Sequence, residues 1–498
     1  MSESRGRILL VDLPSVSPNE INVGLASIAG VLREKGHEVR VLDLNNINLP
    51  GKPGSRLAQA LQWQPDVLGV SLFPACTITL DGARDVLGVV RETLGDRTLR
   101  VAGGVGVSLT PVQTAEELKG LADLCVYGEG EITFAEIVEK RLGGGSFEDI
   151  PGTVRFEGDA PVQEEARPFI KNLDTLPWPA YDAFDSVGEK IAEYPMMTSR
   201  GCPFNCIFCL NKTLTKRTFR SRSAENVVEE IAYARDRYKY DAVYIWDDHF
   251  SLIRERAEKI CRTLIERKLG IAYYLPDGIR ADSVTPEFAE LLRESGCAGV
   301  SVGFEDANPE TFVHIKKGEK YDVIVHAIQV LQEAGVPVRC SMIIGLPHTT
   351  YKSTRIAMEN IRKLKVHAEW YLATPFPGTE LHDWVMKHGR LLEDPLSLRG
   401  LTFRRVIFDT PEFPKRDRYR AFYEAFAHFS FPEYAFYGKV CNPLTQQRYR
   451  LEKYLLSPLT VARYIPSRLP SHLWHLGRDL LTAVFRRAKK FLGRMLGR

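Results

Sequence analysis

The chain has 498 residues, 44% hydrophobic and 26% charged, with a formal net charge of +3. That length exceeds one compact core and implies two or three domains. The composition excludes a disordered or collagen-like chain, and no apolar run reaches the roughly 18 residues of a membrane span. A net charge this small argues neither for nor against nucleic acid, and no nucleic-acid-binding module is recognisable, so none is expected as a partner. The charge is uneven, however: residues 463–498 hold nine Lys or Arg against one acidic residue, Asp479. The nine cysteines show no paired spacing, and "MSESRGRILLVDL" lacks a signal-peptide pattern. A reducing cytoplasm is the setting these features imply.

Residues 1–145 alternate strand and helix signals. Short apolar runs at 7–13, 38–44, 67–73, 99–104 and 122–128 read as buried parallel strands. Amphipathic segments such as "GLASIAGVLREKG" (24–36) separate them. Five such units predict an α/β domain with a doubly wound parallel sheet, whose ligands lie beyond the carboxyl ends of its strands. Those ends are rich in small residues: "SLFPAC", "AGGVGVS" and "YGEGE".

Residues 146–193 carry Pro, Gly and charge, and read as a linker or crossing segment. A second βα series follows over 194–410, with strands expected at 194–199, 242–248, 271–279, 299–305, 338–345 and 369–376. Six units predict a (β/α)6 partial TIM barrel, whose chemistry gathers at the carboxyl ends of its strands. Residues 411–498 read as a helical C-terminal region. It closes on an amphipathic helix over 473–498, with an apolar stripe of Leu473, Leu480, Val484, Phe491 and Met495 and a basic opposite face. Such a helix suits peripheral contact with the inner, anionic face of a membrane, or docking on the barrel with its basic residues solvated.

The first barrel strand runs into "SRGCPFNCIFCLN" (199–211), which places Cys202, Cys206 and Cys209 within eight residues. Thiolates bind soft metals. A structural zinc site wants four ligands, and no second CxxC pair or nearby histidine supplies one. An iron–sulfur cubane has four irons, so three cysteines leave one open. Chance clustering of core thiols and a redox CxxC pair are the other readings of the trio.

CxxxCxxC with an aromatic, Phe208, before the last cysteine resembles the radical S-adenosylmethionine (SAM) superfamily. The resemblance extends, in order, through "YIWDDHF" (244–250), residues 278–318, "MIIGLP" (342–347) and "TPFPGTELHD" (374–383). It implies a [4Fe-4S] cluster on Cys202, Cys206 and Cys209. The open iron would bind SAM, and the reduced cluster would cleave SAM to a 5′-deoxyadenosyl radical. The electron would come from a donor such as flavodoxin or ferredoxin. The resemblance also assigns Asp247 and Asp248 to the SAM ammonium, and Arg280 and Glu305 to its carboxylate, amino or ribose groups. Gly345 would let backbone approach adenine. For each polar residue of this set, a barrel salt bridge is the structural alternative.

The N-terminal domain resembles the Rossmann-like cobalamin-binding domain of the cobalamin-dependent class of that superfamily. The matching stretches are 22–43, 65–73, 101–111 and 123–131. This resemblance implies cobalamin near Ser71 and Phe73, with Gly103, Gly104 and Gly128 giving close backbone approach. Glu129 and Glu131 open the fifth helix as cofactor contacts or as charges suited to the helix dipole. The DxHxxG motif that ligates cobalt is missing, and the domain's only histidine is His37, in a turn far from the strand ends. Cobalamin with neither a histidine nor a dimethylbenzimidazole lower ligand is therefore expected.

Cys76, Cys125, Cys261, Cys297, Cys340 and Cys441 read as buried small hydrophobes, with Cys340 of interest for its place on the fifth barrel strand. His249 and His348, at strand ends, are candidate proton donors or structural histidines. The expected function is methylation of an unactivated carbon of a small-molecule or lipid-type substrate. A non-methylating cyclase, oxidase or ring-rearranging enzyme, and a catalytically silent cobalamin sensor, are the alternatives.

Overall fold

The computed structural model describes residues 5–15, 20–46, 48–73, 77–188, 191–395 and 405–429. Chain contacts divide it into Met1–Glu433 and Tyr434–Arg498, and all the described residues belong to the first unit. The basic helix expected over 473–498, together with Cys76 and Cys441, lies outside the described residues.

The N-terminal sheet contains β1 (Arg7–Asp12), β2 (Glu38–Asp43), β3 (Val67–Ser71), β4 (Leu99–Gly103) and β5 (Leu124–Val126), all parallel. Their order, β2-β1-β3-β4-β5, reverses direction between β1 and β3. Alternation along β1 explains the two-faced packing. Ile8 and Leu10 enter the core that continues into the barrel, while Leu9 and Val11 enter a separate core on the other face. The stretch read as a linker adds to this sheet. Residues β6 (Thr153–Glu157) and β7 (Ala160–Gln163) form an antiparallel hairpin paired to β5. The two-residue turn Gly158–Asp159 lies inside a segment whose Pro and charge hid its short alternation.

The barrel sheet begins with β8 (Glu193–Met196). A small hairpin of β9 (Ser199–Arg200) and β10 (Arg220–Ser221) brackets the cysteine loop. Then come β11 (Ala242–Ile245), β12 (Tyr273–Ile279), β13 (Cys297–Glu305), β14 (Val338–Ile344) and β15 (His367–Leu372). The six-stranded order β15-β14-β13-β12-β11-β8 is parallel throughout, an open (β/α)6 barrel. In β14, Val338, Cys340, Met342 and Ile344 are buried towards the helices, while Arg339, Ser341 and Ile343 are half-buried on the other face. Cys125, Cys261, Cys297 and Cys340 are all buried free thiols. A last short pair, β16 (Arg390–Leu391) with β17 (Phe408–Asp409), precedes the helix Lys415–Phe429, which packs along β15.

Sheet and barrel meet through the segment after β7. Ala180 N–H donates to Ala26 O at 2.9 Å, and Asp185 N–H to Val41 O at 3.0 Å. Tyr181 and Phe184 are buried in the core common to both. Among the described residues no helix is long and apolar enough to cross a membrane.

Candidate functional site

The cysteine loop leaves β9 through Gly201, whose φ is +83°. A Cβ there would sit 2.1 Å from the Thr218 carbonyl oxygen, so only glycine fits. Asp248 holds the loop at both ends: Gly201 N–H donates to Oδ2 and Asn211 Nδ2 to Oδ1, each at 2.9 Å. Ile207 anchors the middle, its N–H bonding Ile315 O at 3.2 Å and its carbonyl accepting Leu381 N–H at 2.9 Å. Phe208 packs on an apolar cluster of Ala373, Leu381, Val385, Ile407 and Phe408, so it fastens the loop rather than facing a ligand.

Cys202, Cys206 and Cys209 are half-buried free thiols, close enough that each charge would influence the others. Burial pushes the Cys206 thiol up to about 11 and Cys209 to about 12. Metal binding there must therefore displace protons. Among the described residues no three His, Cys, Asp or Glu side chains converge as they would on one metal ion.

Two cations face the loop. The Arg280 guanidinium stacks on Phe204 with Cζ 3.4 Å from the ring centroid. It donates to Asp282 at 3.2 and 2.8 Å and to Lys317 O at 3.0 Å. Lys317, missed in the sequence, has its ammonium 3.5 Å from both Glu305 and Glu319. Burial disfavours its charge, but the two carboxylates more than offset this and raise it above its ordinary range. Burial pushes the Glu305 carboxyl above its usual range, and Lys317 offsets part of that rise. It ends β13 with φ at +65°, an unusual conformation for a side chain of that size. A Cβ on Gly303 would lie 2.9 Å from the Lys317 ammonium, so glycine lets that cation cross the strand.

Several expected contacts are redirected. Asp247 is 1% exposed and accepts four hydrogen bonds from the backbone and hydroxyls of Thr198 and Ser199. Its lone pairs are committed to the β8–β9 junction, which leaves none for the SAM ammonium. Gly345 has φ +95°, but the group filling its Cβ position is the Arg418 guanidinium, not an open space for adenine. Arg418 donates to Gly345 O at 3.1 Å and Phe413 O at 2.8 Å, and burial lowers it to about 9. His249 is buried against Phe204 and lowered to about 4 by burial, helped by Arg280. His348 lies tilted against His314, ring centroids 4.1 Å apart, and is exposed beside Trp384.

Below the loop, a cleft of about 400 Å³, open to solvent, lies between the sheet's carboxyl edge and the barrel. That lies within the roughly 300–1,000 Å³ of ordinary small-molecule pockets. Ser71, Gly103, Gly104, Gly128 and Glu129 line it from the sheet; Gly201, Asn211 and Asp248 line it from the barrel. Phe73 is 53% exposed and does not line it. A Cβ on Gly104 would meet Leu72 O at 2.6 Å. No histidine is among the lining residues described. His37 sits at the opposite end of the sheet, where Nδ1 accepts from Gly6 N–H at 3.2 Å.

Comparison with known proteins matches this architecture. The radical SAM superfamily profile covers residues 196–361, and the B12 binding domain profile covers residues 11–138. An uncharacterized methyltransferase of Pyrococcus horikoshii is 30% identical over 74% of this chain and 79% of its own. The chain belongs to the radical SAM superfamily, in its cobalamin-dependent, methyltransferase-like branch. The hopanoid C-3 methylase of Methylococcus capsulatus is 24% identical over 72% of this chain and 67% of its own. The fold is that of the radical SAM methyltransferase TsrM of Kitasatospora setae, solved with cobalamin and a [4Fe-4S] cluster. TsrM superposes with a TM-score of 0.65 at 19% identity, over 80% of this chain and 83% of its own. As a radical SAM enzyme with a B12 domain, the protein works with SAM, a [4Fe-4S] cluster and cobalamin.

Proposed function

We propose that the protein is a C-methyltransferase that acts on an unactivated carbon of a small molecule, with Cys202, Cys206 and Cys209 holding the cluster. The observation that carries the reading is that the two ends of the three-thiol loop, Gly201 and Asn211, line the same cleft as the carboxyl edge of the B12-type sheet. When bound, SAM and the cluster supply a hydrogen-abstracting radical, and cobalamin supplies the methyl group. The chain's own groups bind and orient. Arg280 and Lys317 place positive charge beside the thiolates, which favours assembly of an anionic cluster. Glu305, at the end of β13, offers a carboxylate to the ammonium of SAM's amino-acid group, and the buried Glu319 holds Lys317 and Arg280 beside it. Asp248 holds the loop against the cleft. Gly103, Gly104 and Gly128 leave room for backbone amides to approach the cofactor.

Methyltransferases recur among the relatives, with a cytidylyl-2-hydroxyethylphosphonate methyltransferase of Streptomyces wedmorensis among them. An anaerobic magnesium-protoporphyrin IX monomethyl ester cyclase of Cereibacter sphaeroides, 28% identical, supports ring closure as the second reading. Product analysis separates them. S-adenosylhomocysteine and 5′-deoxyadenosine formed together support methylation, and deoxyadenosine alone supports the cyclase. Cys206→Ala is expected to abolish deoxyadenosine while the variant still binds cobalamin. Retained deoxyadenosine would remove Cys206 from the ligand set.

The cleft's lining, without histidine among the described residues, supports cobalamin that has no protein histidine ligand, and the proposal extends to cobalt free of dimethylbenzimidazole. Nitrogen superhyperfine coupling in the cobalt(II) EPR spectrum would contradict this. An acidic one-electron donor and a salt-sensitive membrane contact through residues 473–498 complete the proposal. Recovery of the protein in the soluble fraction at low salt would rule out the membrane contact.

A further inference from the structure

The two cofactor sites share a wall built from buried ion pairs. On the barrel side stands Arg200, the last residue of β9, followed directly by Gly201 and Cys202. Its Nη1 lies 2.8 Å from Glu129 Oε1 and its Nη2 lies 2.6 Å from Glu131 Oε1. Both carboxylates belong to the N-terminal domain, at the start of the helix Gly130–Gly143. Glu129 also takes Arg220 Nη1, 2.8 Å from each oxygen, and Ile170 N–H at 2.8 Å. Arg220 is the partner of Arg200 across the β9–β10 hairpin. Ser27 Oγ closes Glu131 at 3.0 Å. Arg200, Arg220, Glu129 and Glu131 all border the cleft.

A buried ion pair adds little net stability, because desolvation consumes most of the attraction, but it fixes geometry. Apolar surfaces can slide past each other. A planar guanidinium forked across two carboxylates sets both distance and angle. Burial works against the Arg200 charge, yet Glu131 and Glu129 hold it above its usual range. Burial likewise opposes ionisation of Glu131, and Arg200 holds it below the usual carboxylate range. Each side keeps the other ionised.

We infer that Arg200, with Glu129, Glu131 and Arg220, is a positioning device that fixes the cysteine loop against the cobalamin cleft and couples the filling of one site to the other. The inference rests on the reading that the loop holds the cluster and the cleft holds cobalamin. Whichever cofactor binds first fixes the shared wall, so the second meets a wall already in place. By linkage, the cluster tightens cobalamin binding by the same factor as cobalamin tightens the cluster.

The test titrates hydroxocobalamin into the full chain with and without a reconstituted cluster. In the wild type the cluster-loaded protein is expected to bind at least about fivefold tighter, the low end of coupling between linked sites. In Arg200→Gln and in Glu129→Gln the ratio falls to about one while both cofactors still bind, and Arg200→Lys lies between because it keeps the charge but not the fork. A merely structural role would weaken both affinities and leave the ratio unchanged. Glu129→Gln, which keeps size and one acceptor oxygen, serves if Arg200→Gln does not fold. Magnetic broadening between cobalt(II) and the reduced cluster should decline along with the ratio. A wild-type ratio of one, or a ratio unchanged in both variants, overturns the inference. Failure of the wild type to bind either cofactor overturns the cofactor reading itself, and the inference with it.

Discussion

At the residue scale, the site is a set of charges placed where burial would otherwise remove them. Lys317 is the clearest case. It reaches over Gly303, pairs with Glu305 and Glu319, and is the principal cation acting on Cys206. A cation beside the cluster stabilises its reduced, more negative state. Lys317→Met should therefore shift the cluster's midpoint to more negative potential, while Lys317→Arg stays near the wild type. EPR-monitored potentiometry reads this directly, and an unchanged midpoint with full iron content would refute it. Nothing in "HIKKGEK" distinguishes Lys317 from its neighbour Lys316. Lys316 pairs with Glu380 at the surface, 2.6 Å away, and only the fold separates the two. Asp247 and Asp248 were equally indistinguishable in "WDDHF", yet adjacent side chains at a strand end diverge, one into the β8–β9 junction and one towards the cleft.

At the element scale, the cysteine loop works because its entry and exit are fixed. The β9–β10 hairpin closes it, Asp248 ties both of its ends, and Gly201 makes the turn that side chains resist. Gly201→Ala forces a methyl into the Thr218 carbonyl at a left-handed φ. The expected cost is about 2–4 kcal/mol, from backbone strain and a steric clash. Iron per chain after reconstitution should fall to a small fraction of the wild-type value. A variant with wild-type iron and melting temperature would show that the loop tolerates the shift. The strands were legible element by element, because buried parallel strands are continuous apolar runs. The β6–β7 hairpin was not. Its four- and five-residue strands sit at a sheet edge, half solvated, where composition resembles a linker.

At the scale of the whole molecule, one continuous core joins the B12-type sheet to the barrel, so its stability answers to groups far from the cysteines. Asp12 ends β1, is 5% exposed, and leaves Oδ2 without a hydrogen-bond partner among the described residues. Burial, helped by neighbouring Asp43, pushes its carboxyl up to about 7 despite the Asn22 amide at 3.0 Å. The folded state thus holds a proton that the unfolded chain releases near its ordinary value of about 4. The folded state binds more protons over that window, so stability falls as pH rises from about 4 to about 7. Asp12→Asn should match the parent at pH 4 and exceed it at pH 8 by roughly 2–4 kcal/mol. Denaturation at the two pH values checks this; an equal gap at both would refute it.

The sequence by itself determined the two α/β layers, the order of their strands along the chain, the three-thiol loop and the missing cobalt-ligating histidine. Each of these is written in local spacing or periodicity. The tertiary structure alone decided which groups meet. Glu129, expected at a cofactor or a helix end, instead receives Arg200 and Arg220, which lie 71 and 91 residues away. Gly345 makes room for Arg418, 73 residues on. The physical reason is that a charge carries no mark of its partner in the sequence. Pairing is set by which strand ends the packed cores bring side by side.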